Sequence, residues 1–172
     1  MRLKTLVLFS GLVLGAAGAG ANEINIYGVS EKAALPELGL KLPAKLDTGA
    51  VTASLSALNI KTFKRENQDW VRFDLAVDGT QEGETLELPV VRTSQIKRRA
   101  DDVTDESAPT HTSRPVIEMD VCLGGERQTI EVNLTDRTAF SYPLLIGSTA
   151  LQQFQAAVDP SVKYSAGDPG CA

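Results

Sequence analysis

Polar and apolar positions along this chain alternate with the two-residue period of β-strands far more often than with the period of a helix. Glu23 to Val29 alternates and predicts a first strand, ended by Gly28 and Ser30. Leu35 to Leu40 carries Pro36 and Gly39 and reads as a turn leading into an apolar run that closes at Leu46. Thr52 to Ala57 is small and half polar, and Ile60 to Lys64 follows it as a separate strand signal. From Trp70 to Val77 the inward positions are Val71, Phe73, Leu75 and Val77, with Asp78-Gly79 as a hairpin turn and Thr85 to Val91 as the return strand. Pro89 marks that return strand as an edge or a bulge.

The segment Arg98 to Arg114 is polar and lacks any apolar pattern, as expected of a loop or of a hairpin with a long tip. Val116 to Leu123 and Gln128 to Leu134 form a second hairpin through Gly124-Gly125. Pro143 to Gly147 is short and wholly apolar, the mark of a strand buried on both faces. A single helix is predicted, Ser148 to Ala157, with Ser148 as its cap and Leu151, Phe154 and Ala157 on one face. The tail Ser161 to Ala172 has little to structure it on its own. Seven or eight short strands with one late helix make a small, mostly β domain.

The candidate chemistry lies where the apolar run Leu40 to Leu46 ends, at Asp47-Thr48-Gly49-Ala50. A carboxylate at the end of a buried strand loses solvation unless backbone N–H groups and a hydroxyl point at it. From these residues alone, Asp47 either caps its own turn or does chemistry.

Composition narrows the partners. The N-terminus has a basic start at Arg2 and Lys4, a short apolar run from Leu6 to Leu14, and small residues Ala19-Gly20-Ala21. That is the form of a secretory signal peptide over residues 1–21; a membrane span needs about 20 apolar residues. Cleavage there leaves residues 22–172 as one domain, exported to the periplasm with no stable membrane insertion. Losing Arg2 and Lys4 takes the formal charge from −5 to −7. So acidic a product has no evident use for nucleic acid, and its one basic cluster, Lys97-Arg98-Arg99, is followed by Asp101, Asp102, Asp105 and Glu106. Cys122 and Cys171 form one disulfide in an oxidising compartment or remain two thiols; sequence does not decide. With the single histidine His111 in the polar loop, no paired His motif and no Cys-x-x-Cys, no metal site is predicted.

Two motifs together resemble the retropepsin-like aspartic peptidases: a hydrophobic strand ending in Leu46-Asp47-Thr48-Gly49-Ala50, and about a hundred residues later the apolar-apolar-Gly strand Leu145-Ile146-Gly147. More closely, the chain is similar to a bacterial branch whose members are often labelled ATP-dependent zinc proteases. That likeness rests on Leu35-Pro36-Glu37-Leu38-Gly39, Ala44-Lys45-Leu46-Asp47-Thr48-Gly49-Ala50, Arg114-Pro115-Val116-Ile117, Leu134-Thr135-Asp136-Arg137, Tyr142-Pro143-Leu144-Leu145-Ile146-Gly147 and Val158-Asp159-Pro160, in order along nearly the whole mature chain. The chain has Val51, Ser56 and Ser148 where the branch usually has a basic residue, a His or Asp, and an Arg. It has neither a phosphate loop for ATP nor the ligands for zinc.

The resemblance implies a small closed or partly closed barrel of the acid-protease type, and an exported aspartic endopeptidase acting on polypeptides without a cofactor. Aspartic proteolysis needs two carboxylates about 3 Å apart sharing one proton. The chain supplies one such loop, so the resemblance implies a homodimer with Asp47 of each subunit on the two-fold axis. Thr48 hydroxyls would bond across the axis, Gly49 would let its N–H approach the carboxylate, Ala50 would complete the loop, and Leu145, Ile146 and Gly147 would be the floor strand. The Arg98 to Arg114 hairpin is the candidate flap, with Gly79 to Gly83 as the alternative. A catalytically silent binding or regulatory module with the same fold is the second reading.

Overall fold

The computed structural model describes residues 24–78, 85–97 and 111–171. The predicted signal peptide, the alternative flap Gly79 to Gly83 and residues 98–110 of the candidate flap lie outside these residues.

The strands are β1 (Asn25–Gly28), β2 (Ser30–Leu35), β3 (Leu40–Asp47), β4 (Ala53–Arg65), β5 (Gln68–Leu75), β6 (Thr85–Pro89), β7 (Arg92–Lys97), β8 (His111–Leu123), β9 (Glu126–Thr135), β10 (Leu144–Gly147) and β11 (Ala156–Asp159). One α-helix, α1 (Ser148–Gln153), and a 3₁₀ turn (Pro36–Leu38) complete the set. The fold is mainly β, as the alternation predicts. Its main sheet runs β10-β3-β2-β8-β9-β4-β5-β6, and β4 also pairs with β10. Six strands therefore close a ring, β5 and β6 extend from β4, and β7 pairs with β8 outside it. This is a partly closed barrel.

The core is what period-two burial dictates. Val71, Phe73 and Leu75 of β5 point inward, as do Leu42, Ala44 and Leu46 of β3 and Val121 and Leu123 of β8. Pro89 sits at the end of edge strand β6, where a missing N–H costs no ladder bond. The Gly124-Gly125 turn has φ of 58° and 97°, the left-handed backbone that only glycine adopts without strain.

Several elements differ from the sequence reading, each through a contact distant in the chain. The segments Thr52 to Ala57 and Ile60 to Lys64 belong to one strand, β4, whose pairing with β5 shifts register between Leu58 and Lys61. Asn59 there takes φ of 51°, and its amide donates to Asp74 Oδ2 at 2.6 Å. β7 is a strand the pattern did not predict, because its mostly exposed, polar residues gain order from pairing with β8 alone. His111 begins β8 instead of lying in a loop, and residues 111–114 are one arm of the β7–β8 hairpin.

The predicted helix stops at Gln153, not Ala157. Gln155 takes φ of 49°, and 156–159 are captured as β11 by parallel pairing with β1, leaving Ala157 exposed. Its cap is Gly147, not Ser148, and no side chain caps it.

The tail is ordered by partners the local pattern cannot show. Glu31 of β2 is fully buried, yet its carboxylate accepts bonds from the Gly28 N–H (2.6 Å), the Ser165 N–H (3.0 Å) and hydroxyl (2.7 Å), and the Ala166 N–H (3.1 Å). A buried carboxylate is tolerable when its oxygens are saturated in this way. Cys122 and Cys171 are joined by a disulfide. Replacing Glu31 with Ala orphans four donors, and we expect a loss of at least about 2 kcal/mol in denaturant unfolding. A cost under about 0.5 kcal/mol would show that water substitutes freely for the carboxylate.

Candidate active site

β3 delivers Asp47 to one end of the barrel. Leu46, preceding it, is buried, whereas the Asp47 side chain keeps 31% of its surface exposed. The chain then turns sharply. The Gly49 N–H donates to Asp47 Oδ1 at 3.0 Å, and the Ala50 N–H approaches the Asp47 carbonyl at 3.3 Å. A Cβ on Gly49 would stand 3.3 Å from Asp47 Oδ1, so glycine permits this approach with least crowding. Thr48 and Gly49 are exposed on the outside of the turn.

The loop is held from beneath by β10 and α1. β10 runs parallel to β3 with Gly147 opposite Asp47, and antiparallel to β4 through Leu144 and Leu145. Leu144 and Ile146 are fully buried and Leu145 is half-buried. At Gly147 the chain enters the helix, and its first N–H groups find their acceptors in the loop: Ser148 N–H to Ala50 O at 2.7 Å, Thr149 N–H to Val51 O at 3.1 Å. Helix starts leave such donors without intrahelical partners. Here the Asp47 loop satisfies them. The fit leaves no room for a side chain: a Cβ on Gly147 would meet the Val51 carbonyl oxygen at 2.7 Å and that of Ala50 at 2.9 Å. Asp47, Thr48, Gly49 and Ala50 are thus brought together with Leu145, Ile146 and Gly147.

Three cations received no role from the sequence: Lys45 and Arg137, which act on Asp47, and Arg114, which acts on Arg137. Lys45 shares a face of β3 with Asp47, and its Nζ lies 3.8 Å from Oδ2. The i, i+2 spacing on a strand was the available signal. Arg137 is only 8% exposed; its Nε donates to the Tyr142 carbonyl at 3.1 Å and its guanidinium lies over the Phe140 ring at 4.8 Å. Burial, then the charge of Arg114, lowers the Arg137 pKa, and Asp47 acts the other way. Arg114 bonds Asn133 Oδ1 at 3.3 Å, its Nε is buried without a partner, and desolvation lowers its pKa too. Among the described residues neither arginine has a carboxylate in ion-pair contact. Arg137 also lines a groove of about 710 Å³ between the 137–143 segment, β3 and the β4–β5 pair, on whose wall Asp47 itself does not lie. Nothing in the sequence marks these arginines as buried.

Within the described residues no three His, Cys, Asp or Glu side chains cluster as metal ligands would.

A partly closed β barrel with an Asp-Thr-Gly turn seated on an apolar-apolar-Gly strand is the fold of retropepsin-like aspartic peptidases. A model of the RimB-like family, retropepsin-like aspartic endopeptidase RimB, matches residues 26–169. The chain belongs to that family. Curated relatives include proteins named probable alpha-L-glutamate ligase from Shewanella pealeana, 33% identical over 146 residues, and Parasynechococcus marenigrum, 35% identical over 144. These alignments cover 84% and 83% of this chain but only 30% and 29% of those proteins, so the chain spans under a third of their length. Among solved structures, Lpg0085 of Legionella pneumophila, a protein of unknown function, aligns with a TM-score of 0.65 and 35% identity over 82% of this chain and 97% of that one.

Gly147→Ala should destabilise the protein by about 1–3 kcal/mol, as overpacking against fixed backbone does. Gly170→Ala, whose Cβ would meet nothing within 4 Å, should stay within about 0.5 kcal/mol. Thermal melts of the two variants compare them directly, and equal midpoints would contradict the close fit beneath the loop.

Proposed function

We propose that the protein is an exported aspartic endopeptidase that works as a homodimer. The observation that carries this reading is a carboxylate both oriented and reachable: Asp47 takes the Gly49 N–H on one oxygen while keeping 31% of its side chain exposed, on a loop locked by β10 and α1. A merely capping Asp has no need of that rigid support from a distant strand and helix.

One carboxylate cannot be both acid and base in the same step, so the second comes from a symmetry-related Asp47. Their single shared proton belongs to the pair. The ionised member draws a proton from a bound water, whose oxygen attacks the scissile carbonyl carbon. The protonated member gives its proton to the carbonyl oxygen; as the tetrahedral diol collapses, the first carboxyl passes the proton it took from water to the leaving nitrogen, and a diol hydroxyl returns its proton to the second, releasing the amine and restoring the pair. The exposed Thr48 hydroxyls would bond across the axis and keep the two loops in register. The β7–β8 arms support a flap whose tip would lie in 98–110.

The surroundings of Asp47 favour acidic peptides. Lys45 and Arg137, with Arg114 acting on Arg137, give the site a positive field in a chain whose net charge is −5, and the two arginines lack carboxylate partners among the described residues. Relatives carrying a domain of this kind within longer proteins named glutamate ligases fit a substrate with glutamyl side chains.

Asp47→Asn should lower cleavage of an unfolded polypeptide by about 10²–10⁴ without changing the melting temperature, because it removes the acid–base group alone. Chelators should have no effect. Equal cleavage by wild type and variant overturns the peptidase reading; no cleavage by either, with a bound partner retained by both, supports the silent binding module. Arg137→Met should raise KM for a glutamate-rich peptide by about 10–100-fold, the worth of a charge-assisted hydrogen bond, while a glutamine-rich counterpart changes little. An equal effect on both peptides would remove Arg137 from substrate recognition.

A further inference from the structure

The barrel ring has a weak seam on the side away from β10. β2 and β8 meet over only Ala33–Leu123 and Ala34–Cys122, as short a ladder as β4–β10, whereas β2 pairs with β3 over six positions and β8 with β9 over eight. The C-terminal segment spans this seam. On the β2 side the Val29 N–H donates to Val162 O (3.0 Å), the Tyr164 N–H to Ser30 O (2.8 Å), Glu31 receives Ser165 and Ala166, and Lys32 pairs with Asp168 at 2.5 Å. On the β8 side the attachment is the disulfide from Cys171 to the fully buried Cys122.

The same stretch of backbone supports the Asp47 loop. The Val29 carbonyl accepts the Leu46 N–H at 3.0 Å, one residue before Asp47. Ser30 Oγ accepts the Tyr142 hydroxyl at 3.2 Å, and Tyr142 O holds the Arg137 guanidinium. Val29 and Ser30 are thus gripped by the C-terminal segment on one side while bracing the site on the other.

We propose that residues 160–171 form a redox-sensitive strap: the Cys122–Cys171 bond keeps the β2–β8 seam shut, and its reduction loosens the seam and the order of the Asp47 loop. The chemistry is thiol–disulfide exchange with a dithiol. Its thiolate attacks Sγ of the half-buried Cys171, forming a mixed disulfide as Cys122 leaves as a thiolate and takes up a proton; the reagent's second thiolate then attacks its own linked sulfur, closing the reagent's disulfide and releasing Cys171 as a thiolate that is protonated in turn. What then remains at the seam is the two-position ladder, a long bond from the Tyr27 hydroxyl to Leu123 O at 3.4 Å, and the weak bond from the Cys171 N–H to the Cys122 sulfur at 3.3 Å, which the freed tail can give up. Glu31 keeps the strap on β2, so the reduced protein stays folded with one joint slackened.

Hydrogen exchange of the full chain, oxidised and after reduction with dithiothreitol, tests this, with the Cys122→Ser/Cys171→Ser protein as a second route to the open state. Exchange in 30–35 and 43–47 should accelerate tenfold or more, while 68–75 of β5, outside the ring, stays unchanged, and reoxidation should restore protection in the reduced wild type. Unchanged exchange at the seam overturns the strap, and so does acceleration everywhere, which would make the disulfide a global staple. The link to the loop rests on the peptidase reading, and cleavage should fall in step with the exchange. If exchange responds but no form cleaves, the strap stands and the peptidase reading fails. If cleavage is present and unaffected by reduction, the link to the site is overturned.

Discussion

Everything at the Asp47 end of the barrel depends on one close approach, that of Gly147 to the backbone of residues 50–52. The two segments meet as peptide against peptide, with no side chain between them, and the N–H groups of Ser148 and Thr149 land on the carbonyls of Ala50 and Val51. A helix start normally takes a polar side chain or water for those donors. Using the Asp47 loop instead satisfies both partners at once and fixes the loop without any long side chain whose rotamers would have to freeze. The result is a turn that points a carboxylate outward while its backbone is immobilised from behind.

That arrangement also explains the ring. β10 must lie between β3 and β4 for Gly147 to face Asp47, and with only four residues it depends on both neighbours. Closing the sheet then requires β2, β8 and β9 to bridge from β3 back to β4. The β2–β8 contact covers two positions, and beyond the end of that ladder the C-terminal segment supplies bonds to Val29, Ser30 and Glu31.

Local pattern was enough where burial alternates within one strand. Val71, Phe73 and Leu75 are inside as their spacing predicted, and the Val116–Leu134 hairpin turns at Gly124-Gly125. The Asp47 motif and Leu145-Ile146-Gly147 were also legible, since each needs particular small or acidic residues in fixed order. What escaped depends on partners far away in sequence. β11 is a strand because β1 pairs with it, 131 residues distant at Asn25–Ala156. β7 is a strand because β8 lies beside it. Glu31 and Arg137 are charged residues in unremarkable contexts whose burial follows from a tail and a loop folding over them.

The two arginines sharpen what the motif alone left open. An Asp-Thr-Gly turn with no cation nearby would present a negative surface to its substrate, and pairing two such turns would strengthen that repulsion toward acidic peptides. Here Arg137 is deeply buried and Arg114 partly so, and desolvating a guanidinium is costly without a compensating charge. Lys45 already lies beside Asp47 at the surface. In the proposed dimer the positive groups double along with the carboxylates, while the shared proton cancels one negative charge. In such a dimer the balance near the axis would be positive, and the geometry that brings the carboxylates together would also attract acidic side chains.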